Sequence, residues 1–193
     1  MKHPLPYLLV LLLTFGSLRA QTFPYQSGDL LFVSDTTGMG TAVKATTGEY
    51  THVALIECAG DSVFVIDATQ RHGVTRRAIG TTFAARMPRE LLSVYRLTVP
   101  FDTAAVIARA KSCLGLPYDD YFLPDNGRYY CSELIQECYG LFESRPMNWR
   151  NSEGEIPDYW KQHFEALGST VPEGIPGTNP TDLSRSPLLR KVL

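Results

Sequence analysis

The chain has 193 residues, 44% of them hydrophobic and 20% charged, which is enough apolar side chain for one packed domain and too much for a disordered segment. The formal net charge of −2 provides no basic footprint and argues against nucleic-acid binding. The four cysteines, Cys58, Cys113, Cys131 and Cys138, do not follow the spacing of a zinc site.

Lys2 and His3 make a short basic start, residues 7–15 an apolar run, and Gly16 and Ser17 break it; Ala20 offers a small residue for cleavage before Gln21. This pattern predicts a secretory signal peptide over residues 1–20, too short to span a bilayer, followed by a single domain over 21–193. Losing Lys2 and Arg19 takes the net charge to −4. The mature protein is therefore expected to be mildly acidic, periplasmic or extracellular, and not inserted in a membrane.

Residues 28–33 read as a buried strand opened by a Gly-Asp turn, and 39–46 as a short helix ended by Gly48. Residues 51–58 and 62–69 read as two strands of a hairpin around Gly60 and Asp61, with a further short strand over 73–77 and a helical turn over 81–86. A strand over 91–97 ends at Pro100, and Asp102 or Thr103 caps a helix reaching about Leu114. An aromatic, acidic connector over 118–122 leads to a helix that starts at Cys131 and stops at Gly140. A last helix is expected over 156–167, with Pro157 near its start. The tail from Gly168 is expected to be extended and held on the surface by Leu183, Leu188, Leu189 and Val192. Strands come first and helices flank them, which predicts an α+β domain with a mostly antiparallel sheet and packed helices.

Cys131, Leu134, Ile135 and Cys138 recur at i, i+3, i+4 and i+7, the buried stripe of a helix. Cys131 then lies at its first turn, where unpaired N–H groups and the positive end of the dipole favour a thiolate. The competing reading is a cysteine that merely fills space, since this residue type is often buried. Cys131 and Cys138 stand about 10 Å apart on one helix and cannot bridge each other, so mostly reduced thiols are expected. His52 and Asp67 sit fifteen residues apart on strands that pair, which predicts cross-strand neighbours. A carboxylate beside an imidazole fixes its tautomer and supports its charged form. Taken singly, His52 reads better as a strand-end histidine and Asp67 as the start of a turn.

Gly28-Asp29-Leu30-Leu31-Phe32, Thr51-His52-Val53, Val65-Ile66-Asp67-Ala68, Gly115-Leu116-Pro117-Tyr118-Asp119 and Tyr130-Cys131-Ser132-Glu133-Leu134-Ile135 stand in that order. Together they resemble the YaeF/YiiX-type permuted papain-like amidases, circularly permuted relatives of the NlpC/P60 cysteine peptidases. The resemblance covers residues 26–140 and, more faintly, the Gly-Thr-Asn-Pro stretch at 177–180. It implies a circularly permuted papain-like fold, with Cys131 as nucleophile, His52 as general base and Asp67 as the third member. The family usually has Glu at that third position, so Gln70 or a water is a possible substitute for the shorter Asp. Tyr130 and Tyr118 are expected at the substrate pocket, and Glu133 either there or as a buried structural acceptor. The chemistry implied is hydrolysis of a small peptide or other amide through a thioester, with no metal or organic cofactor. Acyl transfer or lipid-acyl hydrolysis by the same residues, and a silent binding module, are the alternatives.

Overall fold

In a computed structural model describing residues 24–193, the chain forms a six-stranded antiparallel sheet with helices packed on one face. The leader expected over 1–20 lies outside the described residues. The strands are β1 (Leu30–Val33), β2 (His52–Ala59), β3 (Ser62–Thr69), β4 (Gly73–Ala78), β5 (Leu92–Leu97) and, late in the chain, β8 (Leu189–Lys191). They lie in the order β4-β3-β2-β1-β5-β8. The helices are α1 (Met39–Thr47), α2 (Thr103–Ser112), α3 (Cys131–Tyr139), α4 (Asp158–Ala166) and α5 (Pro180–Ser184), and two-residue strands β6 (Arg145–Pro146) and β7 (Pro176–Gly177) pair beside them. This is the α+β arrangement, antiparallel throughout, that strand alternation and helix spacing predict.

Alternation along the strands divides the core. Leu30, Phe32, Val53, Leu55, Ile66 and Ala68 face the helices and join Ile107, Leu134, Ile135, Trp160 and Phe164 in the main cluster. Leu31, Val33, Ala54, Ile56, Val63, Val65 and Val94 form a smaller cluster on the opposite face. The Gly-Asp opening of β1 has a packing reason. Asp29 is 1% exposed and holds the Arg96 guanidinium through two hydrogen bonds of 2.6 and 2.8 Å, tying β1 to β5. A side chain at Gly28 would meet the Phe101 ring at 2.6 Å.

α2 begins where expected, with the Asp102 carboxylate accepting from the Ala105 N–H at 3.0 Å. α3 ends at Gly140, whose φ of 61° closes the helix in the left-handed region. The expected helix over 156–167 is slightly shorter, Asp158–Ala166, with Pro157 just before it. In place of the expected helical turn over 81–86, three short 3₁₀ turns run through 79–81, 83–86 and 89–91.

The tail departs most from expectation. It does not simply lie extended on the surface but supplies a strand and a helix. Asn179 caps α5 by accepting from the Asp182 N–H at 2.8 Å, and Pro180 fits its first turn. Thr181, 1% exposed, accepts from the Tyr50 N–H at 3.0 Å and donates to the Tyr50 carbonyl at 3.2 Å. β8 then completes the sheet beside β5, with Leu189 paired to Leu97. These partners are more than ninety residues away in sequence, so no local pattern announces them.

Candidate active site

The β2–β3 hairpin turns through Gly60 and Asp61, since Ala59 pairs with Ser62. Gly60 takes a φ of 56° there, which suits its lack of a side chain. The register runs from Ala59–Ser62 to Leu55–Ile66, and its continuation sets Asp67 opposite Ala54 rather than opposite His52. The direct cross-strand pairing read from the sequence is thus off by two residues. A slip of two keeps both side chains on one face, and the diagonal is short enough to bridge. The His52 Nε2 lies 3.0 Å from the Asp67 Oδ2. The shorter acid therefore reaches the ring unaided, while Gln70 is engaged elsewhere, donating to Asp120 at 2.7 Å.

Cys131 on α3 is close enough to His52 to act on the charge of its imidazole. Cys131 is the first residue of α3 and is 7% exposed. Burial works to lower the pKa of His52, but the hydrogen bonds to Asp67 and Cys131 and the charges of both outweigh it and raise the value to about 10. Asp67 is 1% exposed. Burial pushes its carboxyl upward, and His52 and Arg77 more than reverse this, holding it below the usual carboxylate range. Arg77, on β4, donates to both oxygens of Asp67 at 3.0 and 3.2 Å. Sequence reading missed Arg77, because its approach depends on the β3–β4 register. A thiol, an imidazole and a carboxylate in series can transfer a proton from sulfur to nitrogen and hold the charge pair that results.

Cys131 and His52 line a cavity of about 280 Å³. Its walls are largely apolar, including Met39, Val43, Phe122, Met147, Trp149 and Trp160, and no Lys or Arg is among the lining residues. Tyr118 is among the lining residues. Mutual backbone bonds of residues 117–119 with Tyr129 bring the ring there, and its phenol donates to the Met39 sulfur at 3.8 Å. Burial and the neighbouring Cys131 push the Tyr118 phenol well above its ordinary value. Tyr130 also lines the cavity, and its hydroxyl accepts from the Thr178 N–H at 3.0 Å. This contact fastens the tail across the site. Gly177 is needed for it, because a side chain there would meet the Tyr130 hydroxyl at 2.8 Å.

Glu133 is not among the lining residues. Its carboxylate accepts from the Tyr130 N–H at 3.4 Å at the start of α3. Of the two expectations for Glu133, the buried structural acceptor is the one the geometry meets. Burial, and then Asp119, raise its carboxyl to about 8. Asp119 is 0% exposed and accepts from the Tyr121 and Leu123 N–H groups at 3.0 and 2.8 Å. This loop holds Phe122 at a φ of 55°, unusual for an aromatic residue, and aims its ring into the cavity against Tyr130, Trp149 and Trp160. Trp149 and Trp160 carried no sequence signal for the site beyond being aromatic. Three hydroxyls in the wall, on Thr69, Ser132 and Thr178, are buried with no protein partner.

All four cysteines are free thiols. Among the described residues, no group of three or more His, Cys, Asp or Glu side chains is placed to hold a metal ion, and no helix is long and apolar enough to cross a membrane.

No protein of curated function matches this chain. Among solved structures it is similar to the crystal structure of metalloprotein yiiX from Escherichia coli O157:H7. The TM-score is 0.73 at 20% sequence identity, over 89% of this chain and 98% of that one. This likeness shows a shared fold. The side chains described above do not assemble a metal centre. The model of the permuted papain-like amidase enzymes, the YaeF/YiiX or C92 family, matches residues 24–193, including the tail that packs across the cavity, and the chain belongs to that family.

Proposed function

We propose that this amidase is a cysteine hydrolase in which Cys131 attacks an amide carbonyl and His52, backed by Asp67, manages the proton. The observation that carries the proposal is the imidazole held between the Asp67 carboxylate at 3.0 Å and the Cys131 side chain. With His52 raised to about 10, its ring is charged at neutral pH, and the proposed nucleophile is the Cys131 sulfur once its proton has been given up. The thiolate adds to the carbonyl carbon, and the oxyanion receives N–H donors at the start of α3. As the C–N bond breaks, the imidazolium gives its proton to the leaving amine, and a thioester remains on Cys131. Neutral His52 then takes a proton from water, the hydroxide displaces the thiolate, and the acid leaves. Tyr118 and Tyr130 border the substrate in this reading.

The test is the pH dependence of iodoacetamide labelling, with modified peptides identified by mass spectrometry. Cys131 is expected to label at pH 6 almost as fast as at pH 8, while an ordinary thiol, with a pKa of about 8.5, loses roughly tenfold per unit below it. His52→Ala removes the low-pH reactivity. If all four cysteines label slowly and alike, the nucleophile is refuted and a silent binding module becomes the better reading.

One observation favours a second reading. The largely apolar cavity wall, which holds no Lys or Arg, suits a lipid-like acyl group better than the carboxylate-rich stems of a cell wall. The same thioester would then be hydrolysed or passed to another acceptor. Amides of acetic, octanoic and dodecanoic acid separate the readings: rates that rise steeply with chain length favour the acyl substrate, and flat rates favour small peptides. Export belongs to the proposal too, resting on the leader pattern over 1–20 and on a family match that begins only at residue 24. N-terminal sequencing of protein from the cell envelope should begin near Gln21, and an intact Met1 would overturn export.

A further inference from the structure

We propose that Arg77 is a positioning residue that holds Asp67 as an oriented carboxylate behind His52. The inference rests on the reading of Cys131 and His52 given above, and it extends the constellation to a fourth residue, the third carried on a strand. β4 pairs with β3 so that Arg77 stands opposite Val65 and Asp67 opposite Thr75. Arg77 thus reaches Asp67 along a diagonal on one face of the sheet, as His52 does from the other side. Its Nη2 lies 3.0 Å from Oδ1 and 3.2 Å from Oδ2. Oδ2 therefore accepts from Arg77 and from His52 together, which fixes the plane of the carboxylate and leaves it one useful direction, toward the imidazole. Such support matters more for an aspartate than for a longer side chain, because the shorter acid has less freedom to find the ring.

Within the guanidinium, Nη2 is the nitrogen that reaches Asp67, donating to both of its oxygens.

The charged and titratable groups that meet at this point come from four elements. Asp67 on β3 faces His52 from β2 and Arg77 from β4. His52 faces Asp67 and Cys131, and Cys131 on α3 also feels the Tyr118 phenol. Without the guanidinium, the nearly fully buried Asp67 takes up a proton at higher pH. A neutral acid no longer supports the imidazolium, so the thiolate beside it is quenched at higher pH as well.

The experiment is the acid limb of Cys131 iodoacetamide labelling in the full-length protein, compared between wild type, Arg77→Gln and Arg77→Lys, with urea midpoints measured alongside. The limb should move upward by about one pH unit in Arg77→Gln, the low end for losing an opposite charge at contact distance. Arg77→Lys keeps the charge but not the forked grip, so its limb should move in the same direction by about half as much. If Arg77→Gln lowers only the urea midpoint and its labelling profile superimposes on wild type, Arg77 is a brace and the proposal is overturned. Should Arg77→Gln fail to fold, a wild-type limb in Arg77→Lys overturns it equally. A wild-type protein with no His52-dependent limb refutes instead the underlying reading of Cys131, and this proposal falls with it.

Discussion

Replacing Asp67 with Asn tests the electrostatics of the site with little change of shape. In the native protein the pKa of His52 rises from 6.5 to about 10, a gap worth about 5 kcal/mol at 1.36 kcal/mol per unit. A unit charge pair 3.0 Å apart in a surrounding of effective dielectric 20 interacts by about 5 to 6 kcal/mol, so Asp67 is able to supply most of this after burial takes its share. Asn retains an oxygen acceptor for Nε2 but not the charge. The charge-assisted part of the hydrogen bond, about 2 to 3 kcal/mol, is then lost, and the His52 midpoint should fall from about 10 to about 8. The assay is NMR titration of the imidazole Cε1 resonance in histidine-labelled protein, assigned by its absence in His52→Ala. The sign is definite: stability contributed by charged His52 is full below pH 6.5 and is lost as pH rises through about 10, and in Asp67→Asn that loss should come some two units earlier. A midpoint within about half a unit of wild type would show that Asp67 is not what holds the charge, and the reasoning would fail.

Leu134→Ala removes a side chain that is 1% exposed from the α3 stripe and should cost about 3 kcal/mol, read as a lower urea midpoint at unchanged slope. Glu133→Gln removes a carboxyl held near 8 by burial and Asp119. Because that folded pKa lies above the unfolded one, the wild type should lose stability as pH rises from 4.5 to about 8 while the variant holds steady, and urea midpoints at pH 5, 7 and 9 should diverge in the variant's favour. Gly177→Ala sets a methyl against the Met147 sulfur at 2.6 Å and the Tyr130 hydroxyl at 2.8 Å. It should destabilise by about 1 to 3 kcal/mol and loosen the Tyr130–Thr178 bond, with slower Cys131 labelling as the readout.

Several parts of this molecule are legible from local sequence because their physics is local. The 3.6-residue spacing of Cys131, Leu134, Ile135 and Cys138 identifies α3 and its buried face, and alternation identifies β2 and β3. The hairpin brings His52 near Asp67 from chain order alone. The direct pairing is off by two because a two-residue turn at Gly60 and Asp61 sets Asp67 opposite Ala54, not His52. The error is harmless, since two residues is one full period of the pleat. Arg77, Trp149 and Trp160 were not legible in this way. Each joins the site through packing between elements far apart in the chain. The tail was misread for the same reason: Thr181 is pinned by the backbone of Tyr50, and β8 is too short to show alternation.

The tail packed across the cavity has a consequence for the order of events during synthesis. His52, Asp67 and Cys131 all emerge before Met147, Thr178 and Asn179, which wall the cavity, and before Leu189, which extends the sheet. A ribosome that stalls between these points leaves a chain carrying every proposed reactive group but no enclosed pocket. Closure must wait for long-range pairing with Tyr50 and β5, a slow kind of contact to form. In this architecture the arrival of the tail, rather than the appearance of the nucleophile, sets the moment at which the reactive centre can first be shielded from solvent.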